Sequence, residues 1–261
     1  MHYMEIIATR SNHQGEFSVD ALKDSALHSL AVNRVLDCLF QAAEETDPAI
    51  LARLREEAGQ TGGPINDRER ADLLGEAFMP VSREMGRLLY ILARTQRSRT
   101  IVEFGTSFGI STIYLAAALH DNGGGRVITT EMNVEKIKRA QKHLDAAGLG
   151  FLVEFRTGDA LVTLRDLLGP IDLLFLDGWK NLYLPVLQLV EPHLRPGALS
   201  IADDLDIFPE AHKPYLEYVR CPANGYVSVE VPLGDRIEVS LRLVPALQPQ
   251  RGEGWGEGAG G

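Results

Sequence analysis

The chain has 261 residues, of which 45% are hydrophobic and 24% charged, and its formal net charge at pH 7 is -10. This length and composition are typical of a globular protein with one α/β domain and additional helices. The acidic balance argues against a general affinity for nucleic acid, and no apolar run approaches the ~20 residues that cross a bilayer.

The first residues and the cysteines favour a cytoplasmic location, and the histidines argue against a zinc site. The N-terminal stretch has neither the basic nor the apolar segment of a secretory signal. Cys38 and Cys221 are isolated and far apart, so we expect two buried thiols in a reducing compartment rather than a disulfide. The seven histidines show no ligand spacing, so a zinc site is not expected.

Helical segments are predicted before residue 97. Residues 18–58 place apolar side chains at steps suited to one helical face. Within this stretch, Asp47 and Pro48 predict the start of a second helix as its N-cap and first-turn proline, and Gly59 predicts its end. Residues 59–66 predict a loop, a candidate hinge or lid. A further amphipathic helix is predicted from Ser82 to about Gln96.

From residue 99, short apolar strands alternate with helical stretches. The predicted strands are 100–104, 126–131, 152–156, 171–177 and 198–203, and the predicted helices are 111–120, 134–147, 160–168 and 182–194. Such alternation is typical of a parallel, doubly wound sheet. Segments 226–233 and 236–243 predict an antiparallel hairpin around Gly234 and Asp235.

The turn after the first strand has the composition of a ligand-binding turn. Ligands of open parallel sheets bind outside the carboxyl ends of the strands. Here Gly105 and Gly109 allow a tight bend and a close approach of the backbone, and the next helix directs free N–H groups at the same place. The spacing differs from the G-x-G-x-x-G of dinucleotide folds, and Glu103 precedes it.

Carboxylates also follow the second and third strands. Glu131 ends the second strand, where it is placed to accept hydrogen bonds from two ribose hydroxyls, and Gly158, Asp159 and Ala160 follow the third, where an adenine edge would lie. Taken singly, each has a structural explanation, because turns favour Gly and a strand-ending Glu is usually solvated. Three such residues at successive strand ends favour a binding site.

Further carboxylates follow the next two strands. Asp177 ends one strand, and Asp203 and Asp204 end the next, one strand–helix–strand unit later. Because neighbouring strands lie ~4.8 Å apart, these side chains can converge on one ion, and carboxylates without His or Cys describe a site for a hard cation such as Mg²⁺. In the structural alternative, Asp177 caps a helix and pairs with Lys180, and the two later aspartates form a solvated turn.

The segment from Val81 to Asp204 resembles the class I S-adenosylmethionine-dependent methyltransferases. More narrowly, it is similar to the cation-dependent O-methyltransferases of the catechol and caffeoyl-coenzyme A types. The resemblance is carried by Glu103, Gly105, Gly109 and Ser111, by the acidic residue at 131, by LDGWKNLYLP at 176–185 and by ADDL at 202–205. Two positions depart from the family: Gly178 replaces a histidine that contacts adenine, and Asp204 replaces an asparagine.

The resemblance implies a cofactor site, a metal site and a catalytic base. Val81, Gly105 and Ser111 would hold the methionine end of S-adenosylmethionine. The full set of implied cofactor residues is Val81, Glu103, Gly105, Thr106, Gly109, Ser111, Glu131, Met132, Asp159, Ala160, Asp177 and Trp179. Asp177, Asp203 and Asp204 would bind Mg²⁺ or another divalent cation, and Lys180 would take the proton of the acceptor hydroxyl.

The resemblance implies a Rossmann-like α/β fold, mostly parallel with an antiparallel C-terminal hairpin. We expect an N-terminal helical extension over residues 1–78, the methyltransferase domain over 79–244 and a disordered Gly-rich tail over 245–261. The expected activity is Mg²⁺-dependent O-methylation of a small molecule with vicinal hydroxyls, above all a catechol. The expected protein is cytoplasmic and not membrane-bound, and the family resemblance is compatible with a homodimer.

Several rival functions stay open at this point. Within methyl transfer, the acceptor could be a tRNA hydroxyuridine, which the charge disfavours, or a sugar or macrolide with adjacent hydroxyls. A nicotinamide-dependent oxidoreductase is disfavoured because the third glycine of its fingerprint is missing. A non-catalytic binding module would not need Asp177, Lys180, Asp203 and Asp204 together.

Overall fold

The structure, a computed structural model, describes residues 25–61 and 74–243. Seven strands form one sheet in the order β3-β2-β1-β4-β5-β7-β6. The first five strands in this order are parallel, and β7 runs antiparallel to both of its neighbours. The strands are β1 Thr100–Phe104, β2 Arg126–Glu131, β3 Val153–Thr157, β4 Ile171–Leu176, β5 Leu194–Ala202, β6 Tyr226–Val231 and β7 Ile237–Arg242.

Helices cover both faces of this sheet. Those we number are α1 Leu30–Thr61, α2 Arg83–Thr95, α3 Ile110–Asp121, α4 Val134–Ala146, α5 Ala160–Thr163, α6 Tyr183–Val190 and α7 Pro209–Arg220. The core residues of α1 to α4 pack on one face, and those of α5 to α7 pack on the other. Within the described ranges, no helix is both long and apolar enough to cross a membrane.

The central strands are apolar at successive positions because both of their faces are covered. Ile101 and Leu173 belong to the core beneath α1 to α4, whereas Val102 and Leu174 belong to the core beneath α5 to α7. All four side chains are fully buried. This burial explains why β1 and β4 carry apolar residues at successive positions rather than only at alternate ones.

The strand order reverses between β1 and β4. From β1 the chain moves outward through β2 to β3, and it then returns to place β4 on the other side of β1. At such a switch point the connections leave in opposite directions, which opens a crevice outside the carboxyl ends of the strands. The fold therefore places the ends of β1 and β4 side by side at the crevice that we predict to be functional.

The N-terminal region corrects one prediction. Asp47 and Pro48 do not start a second helix: α1 continues through Pro48. The Asp47 carboxylate accepts hydrogen bonds from the backbone N–H groups of Phe78 and Met79, at 2.7 Å each, instead of capping a helix. Residues 59–61 belong to α1 rather than to the predicted loop, and residues 1–24, 62–73 and 244–261, including the predicted tail, lie outside the described residues.

Other differences concern surface features. Cys38 and Cys221 are both exposed, not buried, since the first lies on the outer side of α1 and the second follows the last turn of α7. Helix α7 was not predicted, and the helix expected at 160–168 is only the short α5. Strands β1 and β2 match their predicted bounds residue for residue, and the domain boundaries stay a prediction.

Candidate active site

The turn after β1 needs its glycines. Gly105 and Gly109 have φ angles of 107° and 87°, in the region that disfavours residues with a Cβ atom. A Cβ atom on Gly105 would also lie 2.5 Å from the backbone oxygen of Asp177. The turn after β1 therefore lies directly against the end of β4 and beside the acidic residues that follow that strand.

Glu103 offers a buried carboxylate behind this turn. Its Oε2 atom accepts hydrogen bonds of 2.6 Å from the hydroxyls of Thr112 and Thr129. Its Oε1 atom is buried and has no hydrogen-bond partner among the described residues. Burial raises the pKa of Glu103, against hydroxyl contacts that lower it. An unpaired buried carboxylate oxygen fits an ammonium group, such as that at the methionine end of the implied cofactor.

Glu131 is held at the carboxyl end of β2 by two backbone N–H donors. Its Oε2 atom accepts a hydrogen bond from the N–H of Ser107 at 3.1 Å, and its Oε1 atom accepts one from the N–H of Asn133 at 2.9 Å. Each carboxylate oxygen can accept a second hydrogen bond. The fixed carboxylate therefore has the capacity to bind two ribose hydroxyls, as the resemblance implies.

The other implied cofactor residues lie at the same edge but differ in burial. Val81 and Ser111 are buried, and so is Thr106, whose hydroxyl contacts that of Thr129 at 2.6 Å. Asp159 is exposed and caps α5 by accepting the N–H of Leu161 at 2.8 Å. Met132 and Trp179 are half-buried, and Ala160 is buried.

Lys180 lies within a cluster of acidic groups after β4 and β5. Its Nζ atom is 2.8 Å from Asp204 Oδ2 and 3.7 Å from Asp177 Oδ1. The two strands pair in register, Leu176 opposite Ala202, so that the aspartates following them come close together. Asp203 is buried and accepts the N–H of Asp204 at its Oδ1 atom, at 2.9 Å.

The cluster carries more negative charge than Lys180 can balance. Burial, together with repulsion from Asp204 and Asp203, raises the pKa of Asp177 well above its ordinary value, although Lys180 opposes the shift. Burial and the Asp204 carboxylate raise the pKa of Asp203 to about 7. Carboxylates that repel one another in a buried place are stabilised by a cation.

The oxygen atoms of the three aspartates suit a hard divalent cation, but in this structure two of the aspartates contact Lys180. In the described part of the chain, no three or more His, Cys, Asp or Glu side chains are arranged to hold a metal ion. Lys180 instead contacts both Asp177 and Asp204. Carboxylate oxygens from Asp177, Asp203 and Asp204 suit Mg²⁺ chemically. To bind the ion, Asp204 would have to give up its contact with Lys180.

Two residues that the sequence analysis did not single out support this cluster. The Tyr183 hydroxyl accepts a hydrogen bond from Lys180 Nζ at 2.8 Å and donates to the backbone oxygen of Asp203 at 3.1 Å. His212 is buried, and its Nε2 atom lies 3.0 Å from the backbone oxygen of Asp204 and 2.9 Å from that of Ile207. Tyr183 was visible three residues after Lys180, whereas His212 lies in the unpredicted α7.

Comparisons with known proteins show which family the chain belongs to. A family profile described as a methyltransferase domain matches residues 102–205. The chain is 40% identical over 139 residues to a catechol O-methyltransferase of Niastella koreensis (51% of this chain, 62% of that protein). It is 36% identical over 126 residues to one of Mycobacterium tuberculosis (48% and 56%) and 32% identical over 203 residues to catechol O-methyltransferase B of Danio rerio (74% and 74%). The matches thus cover less than two thirds of the two bacterial relatives.

Solved structures share the fold. The O-methyltransferase TomG of Streptomyces achromogenes, involved in tomaymycin synthesis and solved with S-adenosylmethionine, is 28% identical with a TM-score of 0.56, over 64% of this chain and 82% of that one. An O-methyltransferase of Bacillus cereus is 24% identical with a TM-score of 0.59, over 73% and 97%, and shows the fold alone. The chain belongs to the class I S-adenosylmethionine-dependent O-methyltransferase family.

Proposed function

We propose that the protein transfers the methyl group of S-adenosylmethionine to one hydroxyl of a small molecule with vicinal hydroxyls, a catechol above all, with the help of Mg²⁺ or another divalent cation. The observation that supports this proposal is the close approach of Gly105, in the turn implied to bind the cofactor, to Asp177, which itself contacts Lys180. Relatives named as catechol O-methyltransferases support the choice of acceptor.

Different residues of the chain would bind the cofactor and the cation. Glu103 and Glu131 would hold the two ends of the cofactor, and Asp177, Asp203 and Asp204 would hold the cation. When bound, such an ion lowers the pKa of a nearby acceptor hydroxyl and fixes its orientation.

Lys180 would act as the general base, because its amine lies among the carboxylates that would hold the cation. In the neutral form its Nζ atom accepts the hydroxyl proton, while the acceptor oxygen forms a bond to the methyl carbon and the carbon–sulfur bond breaks, leaving a neutral thioether. The Tyr183 hydroxyl, which directs its own proton to the backbone of Asp203, presents only its oxygen to Lys180. Tyr183 therefore helps to fix the position of the amine without donating a hydrogen bond to the nitrogen lone pair that takes up the proton of the acceptor.

The test is a methyl-transfer assay across catechols, caffeoyl esters, flavonoids, sugars and tRNA, with and without EDTA. We expect turnover of catechols with Mg²⁺, no turnover in EDTA, and cofactor binding by titration calorimetry that largely survives EDTA. Full activity in excess EDTA would overturn the metal assignment. Methyl transfer to tRNA or to a sugar, with none to a catechol, would overturn the proposed acceptor. A protein that binds NADH but does not bind S-adenosylmethionine would overturn the proposed reaction.

A further inference from the structure

Lys136 is a buried cation that the proposed reaction does not use. It lies in the first turn of α4, and only 4% of its surface is exposed. Its Nζ atom donates to the backbone oxygen of Ala77 at 2.9 Å and to the hydroxyl of Ser107 at 3.2 Å. Burial lowers the pKa of Lys136, and the carboxylates of Glu131, Asp47 and Glu76 oppose that shift. A buried lysine is costly, so its contacts need an explanation.

The first of these contacts is with a short segment, residues 77–79, which we call the strap, and the second is with Ser107, which itself binds the strap. Asp47 of α1 accepts the N–H groups of Phe78 and Met79 at 2.7 Å each. From the other side, the Ser107 hydroxyl donates to the backbone oxygen of Phe78 at 2.9 Å. The Phe78 ring also stacks on Phe108, with the ring centroids 4.2 Å apart. The strap is therefore fixed to α1, to α4 and to the turn after β1 by different groups.

Ser107 connects the strap with the cofactor site. Its hydroxyl bonds the strap and accepts from Lys136, while its backbone N–H donates to the Glu131 carboxylate, at 3.1 Å. The strap leads directly to Val81, the buried residue implied at the methionine end of the cofactor. Met79 has a φ angle of 43°, a strained conformation that the N–H contact with Asp47 holds in place.

We propose that Lys136 and Asp47 are positioning residues for the cofactor: they hold the strap against Ser107, so that Val81 and Glu131 keep the places from which they bind S-adenosylmethionine. The helix α1 then completes the cofactor site and is more than an extension. This inference rests on the proposed function, because it takes Val81 and Glu131 as cofactor residues.

The test measures cofactor affinity without metal or acceptor. Lys136→Met keeps the length of the side chain but removes its donors, and Asp47→Asn keeps the shape but leaves one N–H of the strap without an acceptor. By titration calorimetry in EDTA, we expect the Kd for S-adenosylmethionine to rise about ten-fold in each, the size of a lost charge-assisted hydrogen bond. The double variant should lose less than the product of the two effects, because both act through the strap.

Matched controls come from the same helices. Lys138, two residues after Lys136, is exposed and pairs with Glu135, and Asp37 of α1 is exposed and pairs with Arg83. We expect the Lys138→Met and Asp37→Asn variants to bind the cofactor within about two-fold of the wild type, as substitutions of exposed ion pairs do. The melting temperature of each strap variant is measured as well. A general loss of stability would lower it, whereas the proposed role lowers the affinity for the cofactor.

Hydrogen exchange supplies a measurement that would not change if Lys136 and Asp47 only stabilised the fold: the slowing of amide exchange in the strap when the cofactor binds. In the wild type and the controls, the cofactor should slow exchange of the Phe78 and Met79 amides, and in the strap variants this protection should be lost. Unchanged Kd and unchanged protection in both variants would overturn the inference while leaving the proposed function intact. Failure of the wild type to bind S-adenosylmethionine would instead overturn the proposed function. If Lys136→Met does not fold, Asp47→Asn decides by the same two measurements.

Discussion

Lys180 shows how the site combines charge with fixed geometry. Its amine has three near neighbours: the carboxylates of Asp204 and Asp177 and the hydroxyl of Tyr183. The side chain is largely buried, so these contacts are stronger than they would be in water and hold the amine in place. Where relatives of the resembling type carry an asparagine, Asp204 supplies a charged partner for this amine.

Replacing Lys180 with methionine should lower kcat by ~10²–10⁴, the usual contribution of a positioned general base. The loss should be smaller for nitrocatechol than for catechol, because a more acidic hydroxyl needs less help to ionise. Steady-state kinetics at saturating cofactor and metal test this. Lys213→Met, which removes an exposed lysine paired with Glu210, is the control. Equal losses of kcat with the two acceptors would show that Lys180 orients its neighbours and does not act as the base.

The stability of the metal-free protein should depend on Asp203. Its pKa is raised to about 7 in the folded protein, whereas an aspartate in an unfolded chain has a pKa of about 4. Between these values the folded state binds the proton more tightly, so the free energy of unfolding should fall as pH rises from about 4 to about 7 and stay low above it. The Asp203→Asn variant lacks this titration and should be more stable than the wild type at pH 8 by about 1–3 kcal/mol.

Urea unfolding in EDTA at pH 4 and pH 8 measures this effect. Asparagine still offers an oxygen to the N–H of Asp204, so the local hydrogen bond survives the change. The exposed Asp37 provides the control, and Asp37→Asn should show no such gain at pH 8. A variant that is less stable than the wild type at pH 8 would contradict the assigned direction of the pKa shift.

At the scale of elements, α7 and the β6–β7 hairpin hold the loop that follows Asp204. The backbone N–H groups of Leu205 and Asp206 donate to the backbone oxygens of Arg236 and Asp235, at 3.0 and 2.9 Å. Arg220 of α7 in turn binds the fully buried carboxylate of Glu238 in β7. The antiparallel hairpin therefore fixes one side of the acidic cluster.

Removing Arg220 should destabilise the protein strongly. In the Arg220→Leu variant the buried Glu238 carboxylate loses its cationic partner, which costs about 3 kcal/mol or more. The double variant with Glu238→Gln should recover most of this loss, because no charge is then left buried. Urea unfolding compares both with Arg126→Leu, which breaks the exposed pair with Glu154 and should cost less than about 1 kcal/mol. Equal losses in Arg220→Leu and Arg126→Leu would contradict the assignment.

At the scale of the whole molecule, the crevice at the carboxyl ends of β1 and β4 is bordered by both helical layers. The turn after β1 leads into α3 in one layer, and the turn after β4 leads into α6 in the other. The two turns meet where a Cβ atom on Gly105 would touch Asp177. A ligand at this edge is therefore expected to stabilise the folded molecule as a unit.

Cofactor binding should raise the melting temperature. At one hundred times its Kd, a ligand that binds only the folded state adds about 2.7 kcal/mol, or about 5–10 °C for a chain of this size. S-adenosylmethionine should produce this shift without metal, and Glu131→Gln should reduce it at the same ligand concentration. The Glu135→Gln variant, which alters an exposed residue paired with Lys138, should keep the full shift. A shift that is unaffected by Glu131→Gln would exclude it as a cofactor ligand.

Local sequence determined the strands and the type of each site residue. β1 and β2 were predictable because short stretches rich in β-branched residues lie there between turn residues. Gly105 and Gly109 were recognisable because only glycine adopts their φ angles freely. Helix α7 was not predicted because Pro214 lies in its interior, where proline normally interrupts a helix.

Only the tertiary structure decided which of these residues meet. Asp47 reads as a helix cap, yet its carboxylate binds two N–H groups of the strap, 31 and 32 positions away. Lys180 reads as a neighbour of Asp177, yet its shorter contact is with Asp204, 24 positions away. Sequence patterns report the conformation and burial of a segment, whereas contacts between distant segments depend on strand order and packing, which no local pattern encodes.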